Sequence, residues 1–175
     1  MREVQIKVYS FEELPEDIQQ KILKDNYDMN VKFGNWYESV YEDAKEVGLK
    51  ITGFDIDRGA YCEGEFISTA EETANLILEN HGKECETYKT AFGFIEDRSS
   101  LVRQMDSDGD ELESNYKSDI EELEEEFLKS IIEDYRIMLQ KEYEYLTSEE
   151  AIKEAIEANE YEFLASGKMA GACIR

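Results

Sequence analysis

The amino-acid sequence predicts an α+β fold in which a small antiparallel sheet is combined with several helices, one of them long and acidic. Apolar residues recur every three or four positions over several long stretches, which is typical of amphipathic helices. One shorter stretch, residues 49–67, alternates apolar and polar residues around a glycine turn, which is typical of a β-hairpin. The 175 residues suffice for one ordinary domain and 41% of them are hydrophobic, so we expect a single domain over residues 1–175.

The first elements are a strand and a helix. Val4, Ile6 and Val8 alternate with polar residues, which predicts a half-buried strand. Pro15 would break a helix that had already completed a turn, so we expect a tight turn and then a helix with Pro15 at its first position. The apolar stripe of that helix continues towards Asn30.

A second helix and the hairpin follow. The spacing of apolar residues predicts a helix over Trp36–Val47 that ends at Gly48. The hairpin strands are predicted at Leu49–Asp57 and Ala60–Ile67. The apolar alternation changes phase at Gly53, which predicts a β-bulge there.

Two further helices precede the acidic part of the chain. The first is predicted over Ala70–Asn80, with Ser68 or Thr69 as its cap and Gly82 closing it. The second is predicted over Glu84–Arg103. Its candidate buried side chains are Tyr88, Phe92, Ile95 and Val102.

A long helical pattern covers residues 112–146. Its apolar stripe consists of Ile120, Leu123, Phe127, Ile131, Tyr135, Met138 and Leu139. At about 1.5 Å per residue such a helix reaches roughly 50 Å, so we expect it to bend, break or project from the body of the domain. A last helix is predicted over Glu149–Ala158, capped by Thr147 or Ser148, and an edge strand over Tyr161–Leu164.

The charge of the chain limits its partners. The net charge is −24, and residues 106–162 carry 21 acidic and 5 basic side chains, which is two-thirds of that net charge on a third of the chain. Direct binding to nucleic acid or to an anionic membrane surface is disfavoured, because both need clustered Lys and Arg. The partner predicted by this composition is a basic protein.

The acidic helix is the candidate partner-binding site. Five glutamates crowd less than two turns: Glu121, Glu122, Glu124, Glu125 and Glu126. Like charges one turn apart lie about 5–6 Å from each other and repel by about 0.2–0.5 kcal/mol per pair. That spacing is similar to the spacing of backbone phosphates, so the face could occupy a basic groove by imitating nucleic acid. The alternative is an ordinary solvated helix face.

Four other residues complete the predicted partner-binding set. Glu133 and Asp134 extend the acidic face. Tyr143 and Tyr145 lie among acidic residues with little apolar company, and exposed tyrosines often anchor protein interfaces. They leave open a second interpretation, an interaction or dimerisation surface that uses the aromatic and apolar side of the same helix.

Metal-binding patterns are incomplete. Asp106, Asp108 and Asp110 suggest a calcium loop, but with Gly109 in the sixth position neither the first nor the twelfth residue is acidic. Zinc binding by the only histidine, His81, together with the cysteines lacks paired ligand spacing. We expect His81 to interact with the end of its helix instead, and we expect no metal and no cofactor.

Catalytic patterns are equally weak. If Asp57 pairs with Ala60 in the hairpin, Asp55 and Glu63 point to opposite faces of the sheet, which argues against an acid–base pair, and a slip of one residue reverses this. A Cys–His nucleophile pair has no third group to orient it, and no phosphate-binding loop or nucleophile elbow is present. The sequence therefore predicts a protein that is not an enzyme.

The cellular setting follows from absences in the sequence. No apolar run is long enough for a signal peptide or a membrane span. Three widely spaced cysteines do not make a disulfide framework. We expect a cytoplasmic protein with free thiols.

Several short stretches resemble a family of small phage and prophage proteins, over roughly residues 11–95 and 148–170. They are Trp36-Tyr37, the hairpin segments Gly53-Phe54 and Gly59–Gly64, Asn80–Gly82 with Cys85–Ala91, and Ala158–Phe163 with Gly167. The resemblance implies a setting and no catalytic residues. Acidic phage proteins of this size include anti-CRISPR and anti-restriction inhibitors, several of which imitate nucleic acid. The function expected is therefore inhibition of a basic, nucleic-acid-binding host protein such as a CRISPR effector or a restriction nuclease.

Overall fold

Helices and one hairpin make up the computed structural model, which describes residues 5–32, 34–56, 59–108 and 113–172. The helices are α1 (Glu16–Asp25), α2 (Glu38–Glu46), α3 (Ala70–Asn80), α4 (Glu86–Asp108), α5 (Glu113–Leu146) and α6 (Glu149–Ala158), and the strands are β1 (Leu49–Asp55) and β2 (Tyr61–Phe66). The predicted α+β class is confirmed. None of the described helices is long and apolar enough to cross a bilayer.

The contacts of the chain divide it into two compact units. The first consists of Met1–Trp36 and Glu142–Arg175, and the second of Tyr37–Lys141. The last residues of α5 therefore belong to the first unit and the rest of that helix to the second.

Seven apolar side chains form the core of the first unit. They are Phe11, Leu14, Ile22, Leu23, Ile152, Ile156 and Phe163. Ser148 caps α6 by accepting a hydrogen bond from the backbone N–H of Ala151, as predicted for this position. Because the core residues come from both sequence segments, neither segment builds this core alone.

The two strands predicted in this unit do not form among the described residues. The backbones of Tyr9 and Phe163 exchange two hydrogen bonds of 2.8 Å, and Phe163 also pairs with Met169, but each contact is an isolated bridge. Ile6 is 55% exposed and Val8 37% exposed, so the apolar side of the first segment is not covered. Alternation alone predicted a strand here, and no neighbouring strand buries the alternating side chains.

α1 begins directly after Pro15, within one residue of the prediction, and ends at Asp25 rather than near Asn30. The side-chain amide of Asn26 donates a hydrogen bond to the carbonyl oxygen of Ile22 at 2.8 Å. Asparagine competes in this way for backbone groups and favours helix ends and turns. The chain continues in turns over residues 26–31.

The hairpin of the second unit carries the predicted bulge in a shifted register. The pairing is interrupted between Ile51 and Gly53, as the phase change predicted. Asp55 lies opposite Tyr61 and not opposite Cys62, so the predicted register is wrong by one residue. Asp55 and Glu63 consequently share a sheet face. Asp57 lies outside the described residues.

α3 occupies the predicted position, whereas α4 ends at Asp108 rather than Arg103 and buries a different side. Thr69 caps α3 in a capping box with Glu72. Phe92 and Val102, which were expected to be buried, are 46% and 37% exposed. Over the part of α4 whose burial is described, residues 86–104, the buried residues are Thr87, Ala91 and Phe94. This set begins one position earlier than the predicted set, a rotation of about 100° around the helix.

The long predicted helix forms as α5, and its apolar stripe is confirmed. Phe127, Ile131, Tyr135 and Leu139 are buried. Ile120, Leu123 and Met138 from the same stripe are half-buried. The ring of Phe127 stacks on Phe94 of α4 with ring centroids 4.3 Å apart, and on Phe66 of β2 at 5.9 Å. The stripe therefore joins α4 and the hairpin.

Replacing Gly64 tests the contact between β2 and α5. A Cβ atom at Gly64 would overlap the Cδ1 atom of Ile132 and lie 2.9 Å from the carbonyl oxygen of Lys50. We expect Gly64→Ala to lower the free energy of unfolding by about 1–3 kcal/mol through overpacking. Gly53→Ala in β1 is the control, because a Cβ there meets nothing within 4 Å. Urea denaturation measures both, and equal stabilities for the two variants would contradict this packing.

Candidate functional site

Four of the predicted glutamates form an exposed patch on two adjacent turns of α5. Glu121, Glu122, Glu125 and Glu126 are exposed, and we call these four residues the glutamate patch. Glu121 with Glu125 and Glu122 with Glu126 are pairs one turn apart, about 5–6 Å between Cβ atoms. The patch lies away from the buried stripe because its residues fall between stripe positions on the helix.

Little positive charge compensates the patch. Among the described residues, only Lys117 lies within ion-pair distance of a patch carboxylate, 3.9 Å from Glu121, and both side chains are mostly exposed. Such a surface pair contributes at most about 1 kcal/mol. Lys129 is exposed one turn beyond Glu125, and no ion pair joins it to a described residue. The patch therefore keeps a strong negative potential.

The other predicted acidic residues do not extend the patch. Glu124 is half-buried. Glu133 accepts two hydrogen bonds from Arg136, at 2.7 and 2.8 Å, and this pairing lowers the pKa of the Glu133 carboxyl. Asp134 is half-buried and accepts a hydrogen bond of 2.7 Å from Thr90. Of these three carboxylates, Glu133 and Asp134 already have partners within the second unit, and Glu124 is less exposed than the patch residues.

The two predicted tyrosines belong to the first unit. The Tyr143 ring packs against Trp36 with centroids 5.7 Å apart. Tyr145 is 52% exposed, and its hydroxyl donates a hydrogen bond of 3.4 Å to Glu154. Tyr145 is thus available to a partner, whereas part of Tyr143 already packs within its own unit.

A polar network that the sequence did not predict lies in the second unit. His81, directly after α3, has its Nδ1 atom 2.7 Å from the hydroxyl oxygen of Thr87 in the first turn of α4. Its Nε2 atom lies 3.5 Å from the Oδ1 atom of Asp43 in α2. The hydroxyl of Tyr135 in α5 donates a hydrogen bond of 2.8 Å to Asp43 Oδ2. The Asp43 carboxylate thus links α2, the end of α3 and α5, and the His81 ring extends the network to α4.

Three members of the network are largely withdrawn from water, whereas the Asp43 side chain is 39% exposed. The His81 side chain is only 10% exposed, Thr87 4% and Tyr135 0%. The adjacent His81 ring and then the Tyr135 hydroxyl hold the pKa of the Asp43 carboxyl below its usual value, although burial opposes them. Burial, and then the adjacent Asp43 charge, raise the pKa of the Tyr135 hydroxyl. His81 also meets the end of α3, as expected: it is the C-cap residue, and its backbone N–H donates a hydrogen bond of 2.9 Å to the carbonyl oxygen of Ile77, while its ring makes the longer-range contacts.

A cavity of about 420 Å³ adjoins this network. Asp43, His81 and Thr87 line it together with Ile137 and Met138 from α5. The volume falls in the range of small-molecule sites. The sequence gives no indication of this cavity, because its lining residues come from segments that are far apart in the chain.

Part of each candidate metal pattern falls on the described residues, which include His81, Cys62 and Cys85. No group of three or more His, Cys, Asp or Glu side chains among the described residues is arranged to hold a metal ion. Cys62 and Cys85 are free thiols, and burial raises the pKa of Cys62 to about 11. The calcium-loop pattern of Asp106 to Asp110 falls partly on residues 109–112, outside the described part of the chain.

No family model, no curated protein and no solved structure matches the chain. The candidate sites therefore stand on their own geometry and charge.

Removing the Tyr135 hydroxyl tests the buried network. We expect Tyr135→Phe to lower the free energy of unfolding at pH 7 by about 1–2 kcal/mol, because a hydrogen bond to a carboxylate is lost. The Asp43 pKa lies below its usual 3.8 in the folded state, so this stabilisation is complete above about pH 3.8. It is lost as the pH falls through the folded-state pKa, and the difference between the two proteins shrinks.

Urea denaturation at pH 7 and over a series of acidic pH values measures that difference, for which Tyr88→Phe is the control. Tyr88 is half-buried, and its ring stacks on Phe92. A stability difference that stays constant down to the pH at which Asp43 is protonated in the folded protein would show that Asp43 does not carry the effect.

Proposed function

We propose that this chain is a non-enzymatic inhibitor of the phage type, like anti-CRISPR or anti-restriction proteins, that binds a basic nucleic-acid-binding protein of the host through the glutamate patch. The observation that carries the proposal is a set of four exposed carboxylates on two turns of a helix with one weak ion pair. The phage setting depends on the sequence resemblance alone. The binding mode depends on charge and geometry.

The mechanism is competition for a basic groove. A helix holds its carboxylates at fixed intervals, so the partner meets an array of negative charges that is already ordered. Basic side chains that normally contact phosphates contact the glutamates instead, and long-range attraction between the net charge of −24 and the groove accelerates association. Binding of this kind weakens as salt rises.

The buried side of the helix makes the array rigid. Phe127 lies on the opposite side of the same two turns and stacks on Phe94 and Phe66. A partner that binds the patch therefore pays little conformational entropy for ordering the backbone, which favours affinity. Rotation of the helix would expose Phe127, so the patch is held towards solvent.

The experiment is a capture followed by competition. The chain is immobilised, exposed to nuclease-treated bacterial lysate and washed with duplex DNA or with raised salt. We expect a captured protein that binds DNA or RNA itself and that both treatments release. A purified form of that protein then gives the dissociation constant as a function of salt concentration.

The patch is tested with a variant in which its four glutamates become glutamine. We expect this variant to bind the captured protein about tenfold to a hundredfold more weakly, with a shallower salt dependence, because up to four exposed charge contacts are lost. The control removes four other exposed carboxylates of the second unit: Glu42→Gln, Glu79→Gln, Glu84→Gln and Glu96→Gln. It has the same net charge, and we expect it to keep the affinity within about threefold.

Equal weakening in both quadruple variants would show that net charge and not the patch binds the partner. A partner that ignores DNA and salt but is lost on Tyr145→Ala would favour the aromatic surface. Concentration-dependent self-association lost on the same substitution would favour dimerisation. Either result would overturn the proposal.

A further inference from the structure

One apolar stripe of α4 faces solvent. Four apolar residues and one serine share this side of the helix: Tyr88, Phe92, Ile95, Ser99 and Val102. Phe92 is 46% exposed and Val102 37% exposed, and the other three are half-buried. Over residues 86–104, α4 packs on its own unit through the side that carries Ala91 and Phe94. The helix therefore has a second apolar side that its own unit covers only in part.

The spacing of this stripe is that of a helix-pairing surface. Its residues follow one another at intervals of four, three, four and three positions, which is the repeat of a coiled-coil seam. The stripe is about 21 Å long, since a helix rises about 1.5 Å per residue. Exposed apolar side chains that form a row, rather than lying singly, indicate an interaction surface. The stripe therefore fits a second amphipathic helix.

The local charge indicates which helix that is. Residues 86–104 carry three acidic and three basic side chains, whereas the whole chain has a net charge of −24. A basic partner of the kind proposed for the glutamate patch gains little attraction from a surface of balanced charge. Two copies of this chain repel each other through their acidic surfaces, and the repulsion is weakest where the local charge is balanced. The stripe therefore favours a second copy as its occupant.

The charges beside the stripe are complementary between two copies. An antiparallel pair of α4 helices places Phe92 opposite Ile95 of the second copy. Lys89 then lies beside Glu96 of the second copy, and two-fold symmetry repeats this contact. Both charged side chains are exposed and free to reach across the seam. The antiparallel orientation thus gains two ion pairs between the copies.

Parallel pairing is disfavoured by the same rule. It would place Arg98 beside Arg103 of the second copy, which brings together two like charges. We propose that α4 pairs with α4 of a second copy in antiparallel orientation, through the stripe from Tyr88 to Val102, and forms a symmetric dimer.

The dimer is expected to be weak. A contact made by one side of one helix from each copy belongs to the small interfaces, below about 1,200 Å² in total, and the net charge of the two copies opposes it. We therefore expect a dissociation constant of about 50–500 µM. The stripe shares no residue with the glutamate patch, and binding through the patch is measured at lower concentrations, where the chain is a monomer. The two proposals are therefore tested independently.

Sedimentation velocity of the full chain between about 10 µM and 1 mM measures the dimer, at about 50 mM and about 500 mM NaCl. We expect a monomer–dimer equilibrium that is about threefold or more tighter at the higher salt, because salt screens the repulsion between two negative copies. A chain that stays monomeric at every concentration and at both salts would overturn the proposal. Association that weakens as salt rises would also overturn it, since that is the behaviour of oppositely charged surfaces.

Phe92→Glu tests the stripe itself. A carboxylate in the seam has to be desolvated in the dimer, so we expect the dimer to be about tenfold or more weaker. Ile67→Glu is the control: Ile67 is 57% exposed, lies after β2 and not on α4, and the substitution changes the net charge equally. We expect this control to dimerise within about twofold of the original chain. Both substitutions change an exposed side chain, and circular dichroism checks that each variant is folded.

Equal weakening in Phe92→Glu and Ile67→Glu would show that net charge and not the stripe controls association. A dimer that is unaffected by Phe92→Glu but is lost on Tyr145→Ala would use the aromatic surface of α5. Either result would overturn the pairing of α4.

An exchange of charges tests the antiparallel orientation. We expect Lys89→Glu and Glu96→Lys each to weaken the dimer by about threefold or more, because each replaces two ion pairs by two like-charge contacts. Glu96→Lys also makes the chain less negative, so its weaker dimer cannot result from overall repulsion. We expect the double variant, which has the original net charge, to recover the original affinity within about twofold. The two positions are about 10 Å apart along one helix, so recovery reports a contact between copies, and its absence would contradict the proposed alignment.

Discussion

Much of the second unit depends on the packing of one side of α5. Phe127 stacks on Phe94 of α4 and on Phe66 of the hairpin, while Ile132 fills the space left by Gly64. Burial of large aromatic and aliphatic side chains is the main favourable term for a domain of this size. Two elements that are remote in the chain are therefore positioned by their contact with one helix. The orientation of α5 about its own axis determines which of its other residues are exposed to solvent and which are buried.

The fixed rotation separates the acidic residues of α5 into two classes. Positions between the stripe residues, such as Glu122 and Glu126, face solvent, whereas Asp134 lies beside the stripe and is half-buried. Charge counted along the sequence treats these residues alike. In the folded unit, one class can reach a partner and the other organises internal hydrogen bonds, as Asp134 does with Thr90. Repulsion within the exposed class destabilises the helix slightly and is tolerated because the buried side holds it.

Local sequence patterns predicted the positions of the helices well, but they predicted poorly which strands pair and which side of α4 is buried. Caps, glycines and apolar periodicity placed α2, α3, α5 and α6 to within a few residues, because these signals act over one or two turns. The two strands predicted in the first unit and the register of the hairpin depend on partners elsewhere in the chain. Alternation at Ile6 and Val8 carries no information about whether another strand will cover them. The buried side of α4 was missed for the same reason, since the partner of Phe94 lies in another helix.

The glutamate patch was predictable because charge density is a local property, whereas the network around His81 was not. Asp43, His81 and Tyr135 come from three separate parts of the sequence, and each has an ordinary context for its helix or turn. Their meeting is a consequence of packing: Tyr135 belongs to the buried stripe of α5, and its hydroxyl must find an acceptor once the ring is buried. Asp43 is that acceptor, and its second oxygen is left facing the His81 ring. Burial of the apolar stripe of α5 thus accounts for both features. It places the glutamate patch on the solvent side of the helix. It also places the Tyr135 hydroxyl inside the unit, where the Asp43 carboxylate accepts its hydrogen bond beside the His81 ring and the cavity.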